Sequence, residues 1–519
     1  MTLLPSKNQV RPQILLLYPK TGMDFGSTVA PPHSLLAVAA PLLKNGHAVK
    51  ILDQRVEPIT EEVLRKELSD DTICIGISTM AGSQIHFALN LAETIRMITK
   101  GKVPIVWGGC QPSVVPEHFI ENEYVDYVVM GEGDYTLLDM VKAWGAKQTL
   151  EKIPGIIFKS GKDVIKTPPR GLLDMEELLP VPWELVNIEN YIHRDMYISD
   201  RDRVLDIGQT SRGCPFRCTF CSSASIRQRK WRPMSAKKSI NMIVDTVRRY
   251  KLNGLWLRDD EFYIDRKRAD AIFKGIIEAD MDVHFYTSGT RCDVFMGATE
   301  DEITAMKRAG AHSLKFGAES GSQRMLDMMQ KGIKIEHIIA TNLRCKKYGI
   351  IPVYSLMIGY PTETFEDVDK TIDIMCRLKK DNASAKFETI ALFTALPGTP
   401  SWEWALKNGL VPPKKLEEWA DWLFDDYDLK GKRMPWFNKR QRVWLGNISF
   451  MSMLGNSLIN AAGSIRSPLL RLLFKAILRP LRRYYYMRLS GKRYCFMPDL
   501  AVVRFLRKKI FYRSTHTFK

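Results

Sequence analysis

An α/β chain built from two tandem units is the fold class that the sequence predicts. An N-terminal doubly wound parallel sheet precedes a partial β/α (TIM-like) barrel, and a basic, mainly helical C-terminal region follows. Three observations predict it. Short apolar runs alternate with stretches of helical spacing in two separate series, a Pro-interrupted segment divides the series, and positive charge is concentrated after the second. A chain of 519 residues with 45% apolar content is too long for one core of ordinary size, so several domains are expected.

In the first series residues 13–18, 48–52, 72–78, 104–107 and 127–130 read as buried strands, and 34–45, 61–68, 84–98 and 134–143 as the helices between them. Such a sheet takes ligands at the carboxyl ends of its strands. The loops there are rich in Gly and Pro: Tyr18-Pro-Lys-Thr-Gly22, Ser78-Thr-Met-Ala-Gly82, Gly108-Gly-Cys-Gln-Pro112 and Gly131-Glu-Gly-Asp134. Residues 1–150 form this domain, and 151–203 read as a connector with a small sheet, where Pro and charge interrupt any long period. The second series places strands at 204–210, 254–257, 283–287, 313–316, 352–358 and 389–393, with helices at 236–250, 266–279, 300–309, 337–347 and 364–378. Six strands imply an incomplete barrel over 204–400, with its chemistry at the C-terminal mouth. Residues 401–519 make up the C-terminal region.

Of the net charge of +18, the tail carries about +14: Ser464 to Lys519 hold fifteen Lys and Arg against one acidic residue, Asp499. The first eleven residues lack an apolar core segment of the kind a secretion signal needs. The least polar long stretch, 445–463, contains Asn447, Asn456 and Asn460 and would span a membrane poorly. Nine cysteines are an odd number, and six of them (Cys74, Cys110, Cys292, Cys345, Cys376, Cys495) are scattered, which is reduced, cytoplasmic usage.

The other three, Cys214, Cys218 and Cys221, stand at C-x3-C-x2-C spacing. Four thiolates normally hold a [4Fe-4S] cluster, so a three-cysteine loop leaves one iron open. A structural zinc site is the alternative; it needs four ligands, and the nearest histidines, His193 and His284, are both remote in sequence. With Phe220 directly before the last cysteine, the run Ser211-Arg-Gly-Cys-Pro-Phe-Arg-Cys-Thr-Phe-Cys-Ser222 resembles the signature of the radical S-adenosylmethionine (SAM) superfamily. The resemblance implies that the open iron chelates SAM and that one electron splits it to a 5'-deoxyadenosyl radical.

Further segments fit that pattern. Arg258-Asp-Asp-Glu-Phe262 follows the second strand of this series. Lys315-Phe-Gly-Ala-Glu-Ser-Gly-Ser322 follows the fourth and is similar to the family's G-x-E-S segment, implying that Glu319 lies near bound SAM and is a candidate catalytic residue. Met357-Ile-Gly-Tyr-Pro-Thr-Glu363 follows the fifth, where Gly359 would let the backbone pack against the adenosyl part. Each alone also reads as a cap or turn; their shared place after successive strands gives them weight.

The four N-terminal loops, with Pro31-Pro-His-Ser-Leu-Leu-Ala-Val-Ala-Ala40, resemble the cobalamin (B12)-binding domain that precedes many such barrels. The corrin-site residues implied are Ser78, Thr79, Gly108, Gly109, Gly131 and Glu132, the Gly-Gly pair being where only bare backbone approaches closely. No D-x-H-x-x-G occurs, and Gln111 stands where related proteins often carry histidine, so no histidine is placed to ligate the cobalt from below. A Rossmann-like domain without a ligand is the alternative.

The tail reads as a capped helix with Ser467 at N-cap and Pro468 at N1. Leu469, Leu470, Leu473, Phe474, Ile477, Leu478 and Leu481 lie on one stripe, and Arg471, Lys475, Arg479 and Arg482 on another. Pro480 is expected to kink or end it. A helix of this kind suits an anionic membrane surface, with Tyr484, Tyr485 and Tyr486 at headgroup level and a further basic cluster from Arg504 to Lys509; alternatively the stripe packs on the barrel. RNA-modifying methylthiotransferases carry a second three-cysteine set in their N-terminal domain, where this chain has only Cys74 and Cys110, so nucleic acid is disfavoured as a partner.

Taken together, the resemblance implies a cobalamin-dependent radical SAM enzyme using a [4Fe-4S] cluster, SAM and cobalamin, reduced by a donor such as flavodoxin or ferredoxin. The expected reaction is methyl transfer to an unactivated carbon of a hydrophobic, lipid- or tetrapyrrole-like small molecule, in the cytoplasm or peripherally at the inner face of the membrane. A cyclase or C–C bond-forming enzyme without net methyl transfer is the alternative within the family; an Fe-S binding or sensing protein with a degenerate barrel is the alternative outside it.

Overall fold

A computed structural model describes residues 13–22, 29–194, 197–198, 200–422, 431–457 and 467–498. The basic cluster from Arg504 to Lys509, the extreme N-terminus and the end of the apolar stretch 445–463 lie outside the described residues.

The first sheet contains β1 (Ile14–Tyr18), β2 (Val49–Asp53), β3 (Cys74–Ser78), β4 (Ile105–Gly108), β5 (Tyr127–Val129), β6 (Ile156–Ser160) and β7 (Asp163–Lys166), in the order β2-β1-β3-β4-β5-β6-β7. The first five pair in parallel. Both faces of β1 and β3 are covered by helices, which is why their sequences, ILLLY and CIGIS, are nearly continuous in apolar residues. The small sheet expected in the connector is instead an antiparallel extension of this one, β6 on β5 and β7 on β6. Ile156, Ile157 and Phe158 are buried, and the open edge of β5 gives them both a core and hydrogen-bond partners.

The second sheet contains β8 (Val204–Asp206), β11 (Gly254–Leu257), β12 (His284–Thr290), β13 (Ala311–Glu319), β14 (Ile351–Ile358), β15 (Lys386–Phe387) and β16 (Ala391–Leu392). Its order is β15-β14-β13-β12-β11-β8, all parallel, with β16 also on β14. Among the described residues no pairing joins β8 to β15, so the barrel is open, as expected from six strands. Between β8 and β11 lies a separate ribbon of β9 (Ser211–Arg212) and β10 (Arg232–Pro233). The helices start on side-chain caps: Ser235 accepts from the backbone of Lys238, and Thr299 and Thr364 form capping boxes. Two strand expectations shift. β8 stops at Asp206 because the chain turns through Gly208 at φ 88°, and the strand expected over 389–393 is reduced to β16, with β15 forming ahead of it.

The C-terminal region packs against the β15–β16 side of the barrel. The helix Lys439–Ser452 buries Leu445 to Ser452, so the described first part of the least polar stretch is core. The last helix, Pro468–Ser490, is capped by Ser467, whose Oγ accepts from the backbone N–H of Leu470 at 3.4 Å. It runs through Pro480 without ending there; the hydrogen bond proline cannot make would reach Ala476, on the exposed stretch of the helix where water is available to its carbonyl. Its second half docks through Tyr485 and Leu489, with Lys492 Nζ 3.0 Å from an Asp373 oxygen and the Tyr494 hydroxyl donating to Asp369 at 2.9 Å. Its first half does not pack on the barrel: Leu469 is 76% exposed, Leu472 67% and Ile477 60%. Among the described residues no helix is long and apolar enough to cross a membrane.

Candidate active site

The cysteine loop hangs from the β9–β10 ribbon at the C-terminal mouth of the barrel. Asp259, after β11, holds its stem, accepting from Thr210 Oγ1 at 2.9 Å and from Ser211 Oγ at 2.5 Å. Asp260 accepts from the backbone N–H of Gly213 at 2.9 Å. Gly213 has φ 88°, and a Cβ there would stand 2.2 Å from the carbonyl oxygen of Lys230, so only glycine lets the loop close. On the far side the Thr219 hydroxyl lies 2.6 Å from that of Tyr360, the residue after Gly359.

Cys214, Cys218 and Cys221 are half-buried and unpaired. Burial pushes the Cys214 thiol up to about 12 and also raises Cys221, so without metal these two favour the thiol form. Metal coordination deprotonates a thiol, and the surroundings fit the resulting anionic set. Arg291 Nη1 lies 3.9 Å from Cys218 Sγ, with its guanidinium 3.7 Å over the Phe216 ring. Asp293 and the Lys331 carbonyl fix that guanidinium, the latter at 2.6 Å. Lys331 is buried as well; burial opposes its charge, but Glu319 and Cys218 outweigh the penalty and its pKa is raised. Glu319 ends β13 at φ 61° and accepts from Lys331 Nζ. The expected SAM-side residue is thus drawn to the cysteine loop through a lysine. Glu261 is buried among these groups, and burial pushes its carboxyl up to about 8.

Gly359 ends β14 at φ 95°, but its bare face meets the Met434 sulfur, 2.7 Å from where a Cβ would stand, and its carbonyl accepts from Trp436 Nε1 at 3.2 Å. The C-terminal region therefore occupies the space beside it.

A cavity opens at the carboxyl ends of β1, β3, β4 and β5, lined by Ser78, Gly108, Gly109, Gly131 and Glu132, and walled on the barrel side by Arg212, Ile226 and Arg227. Ser78 Oγ lies 3.0 Å from Ser34 Oγ. Gly109 has φ 111°, and a Cβ there would stand 2.4 Å from the carbonyl oxygen of Thr79, so Thr79 backs the glycine rather than lining the cavity. Gly131 has φ 75° with nothing within 4 Å of a Cβ, leaving its face open. Three buried polar atoms in these loops, Thr79 Oγ1, Gln111 Nε2 and Thr136 Oγ1, have no hydrogen-bond partner. Buried polar groups are normally satisfied, but none of these three residues lines the cavity, so its fit to a ligand rests on the open face of Gly131 and the glycine-lined mouth. His33 also lines the cavity, but its Nε2 lies 3.1 Å from Asp206 Oδ1 on β8, which tethers it to the barrel.

Glu132 departs most from expectation. Its carboxylate faces Arg227, Arg232 at 2.6 Å and Arg212 at 3.7 Å. Burial alone would raise its pKa, yet the three arginines hold it down to about 2. Lys331, Arg291 and these arginines were not found by sequence reasoning. Arg291 had the only available signal, its place just after a barrel strand.

Residues 209–375 match the model of the radical SAM superfamily, and residues 27–141 that of the B12 binding domain. An uncharacterized methyltransferase of Pyrococcus horikoshii is 32% identical over 406 residues, covering 77% of this chain and 84% of that protein. The anaerobic magnesium-protoporphyrin IX monomethyl ester cyclase of Synechocystis is 26% identical over 330 residues, covering 62% and 64%. In fold the chain resembles the cobalamin-dependent SAM radical enzyme OxsB with aqua-cobalamin bound, with TM-score 0.72, 18% identity and coverage of 96% of this chain and 75% of that one. A [4Fe-4S] cluster, SAM and cobalamin are accordingly its cofactors, the cysteine loop suiting the first and the glycine-lined cavity the last. The chain belongs to the cobalamin-dependent radical SAM enzymes.

Proposed function

We propose that the enzyme is a methyltransferase acting on an unactivated carbon of a hydrophobic, lipid- or tetrapyrrole-like small molecule, peripherally at the inner face of the membrane. The observation that carries this reading is a shared wall: Arg212, Ile226 and Arg227 of the cysteine-loop region border the same cavity as Gly108, Gly109 and Gly131. When bound, the cofactors supply one-electron cleavage of SAM and a carrier for the methyl group. The chain supplies placement. Cys214, Cys218 and Cys221 would ligate the cluster, Arg291 and Lys331 balance its charge, and Glu319 holds Lys331 in place. A donor such as flavodoxin or ferredoxin would deliver the electron.

The exposed first half of the helix Pro468–Ser490 supports the hydrophobic substrate and the membrane site. Leu469, Leu470, Leu473, Phe474, Ile477 and Leu481 are all exposed and fall within about 140° of the helix circumference, with Arg479, Arg482 and Arg483, and the exposed Leu472 among them, on the opposite side.

The cyclase relative favours a second reading, ring closure without net methyl transfer. Two measurements separate the possibilities. Anaerobically reconstituted protein should produce 5'-deoxyadenosine, and Cys218→Ala should not; activity retained in that variant, with a cluster visible by EPR, would sink the assignment. Mass spectrometry of a deletion strain should reveal a compound lighter by one methyl group, whereas an accumulating uncyclised precursor would favour the cyclase.

A further inference from the structure

The neck of the cysteine loop is a like-charge pair. Arg212 and Arg232 face each other across the β9–β10 ribbon, and Arg227, from the short helix Ser223–Arg227 within the loop, approaches the same point. Like charges directly opposite on paired strands repel, so the neck needs a counter-charge to stay closed. Among the described residues the ion pairs of these arginines come from the cobalamin domain and not from the barrel. Glu132 takes Arg232 through both oxygens, at 2.6 and 2.9 Å, pairs with Arg227, and reaches Arg212 at 3.7 Å. Asp134 grips Arg212 in a fork at 3.0 and 3.1 Å. Glu132 also accepts from the backbone N–H of Leu173 at 3.0 Å. Glu132, Asp134 and Arg212 are buried, so removing one member strands charge that water cannot reach.

These carboxylates sit on the loop Gly131 to Asp134, whose other side is cavity wall. Gly131 opens onto the cavity, and its N–H donates to the hydroxyl of Ser113, another lining residue, at 2.9 Å. One short segment therefore touches the corrin site on one side and the neck of the cluster loop on the other. We infer that Glu132 is a positioning residue that couples occupancy of the corrin site to the placement of the cluster loop. The coupling rests on the assignment of the cavity to cobalamin and is independent of what is methylated.

Coupling between two ligands is reciprocal and measurable as a ratio of affinities. The dissociation constant of hydroxocobalamin would be measured anaerobically on the full-length chain, before and after reconstitution of the cluster. For the wild type the two values should differ by about fivefold or more, the lower end of ordinary coupling. In Glu132→Gln, which keeps the shape and removes the charge, the ratio should fall towards one, and Glu132→Asp should restore part of it. A purely structural role would weaken both affinities together and leave the ratio unchanged. Should Glu132→Gln fail to fold, Arg232→Gln removes the other end of the same pair and must show the same loss of coupling. An unchanged ratio in either folded variant, or no coupling in the wild type, overturns the inference. Because no substrate is used, a failure of the methyltransferase reading leaves this result untouched, and corrin binding without coupling defeats this inference alone.

Discussion

Lys331 Nζ donates to Glu319 Oε1 at 3.0 Å directly over the bare face of Gly317, where a Cβ would stand 2.5 Å from that oxygen and 2.7 Å from the nitrogen. The glycine of the G-x-E-S segment thus leaves room for an ion pair, and the pair brings a fixed positive charge to the cysteine loop. The positive φ of Glu319 coincides with a register shift between β13 and β14, which turns the carboxylate to this position.

Lys331→Met should therefore leave the half-buried Glu319 without its partner, at a cost of about 1–3 kcal/mol. Thermal unfolding of the variant and its 5'-deoxyadenosine yield should both fall, and Gly317→Ala should move them in the same direction. Wild-type stability and turnover in Lys331→Met would show that the lysine is idle.

Gly109→Ala forces a side chain into a left-handed backbone and against the Thr79 carbonyl. The protein should lose corrin absorbance after anaerobic reconstitution with hydroxocobalamin while retaining the iron–sulfur absorbance of the barrel. Alanine at Gly131 meets no such clash, so its effect should be smaller and confined to backbone strain.

Glu363 is buried, accepts from the backbone N–H groups of Gly359 and Tyr360, and is pushed up to about 8 by burial. Between the unfolded value of about 4.5 and 8, the folded carboxyl holds a proton that the unfolded one has lost. Stability should accordingly decline as pH rises through that window, by up to about 1.4 kcal/mol per unit. Urea unfolding at stepped pH should show the decline, and Glu363→Gln should flatten it only in part, because the buried carboxyls of Glu261 and Asp259 are shifted in the same direction.

Truncation after Gly463 should release the enzyme from vesicles. Each basic side chain near an anionic bilayer contributes about 1 kcal/mol, and salt screens that attraction. Co-sedimentation of full-length and truncated protein across lipid charge and ionic strength tests this; equal binding by both forms, or none by either, would dismiss the helix as an anchor.

The cysteine spacing, the two alternating series and the glycine loops were legible because each is a local pattern, and the structure gathers Ser78, Gly108, Gly109, Gly131 and Glu132 around one cavity. What escaped depends on residues that meet across the fold. Glu132 and Arg232 are 100 positions apart, so nothing near Glu132 reveals that its carboxylate faces arginines. Lys331 lies in a turn without periodicity, and its importance comes only from burial beside Glu319. The β6–β7 hairpin was assigned to the connector because sequence shows a strand's apolar face but not which sheet edge it joins.

Among the described residues the last helix is anchored at its C-terminal end, where Lys492 and Tyr494 just beyond it grip Asp373 and Asp369 on the helix Phe365–Asp381, which starts just beyond the Gly359–Glu363 loop at the barrel mouth. Lipid contact at the free end would therefore set the orientation of the mouth as well as the location of the enzyme. A substrate dissolved in the bilayer would then arrive by lateral diffusion in two dimensions, concentrated by partitioning, and would not need to cross water to reach the radical.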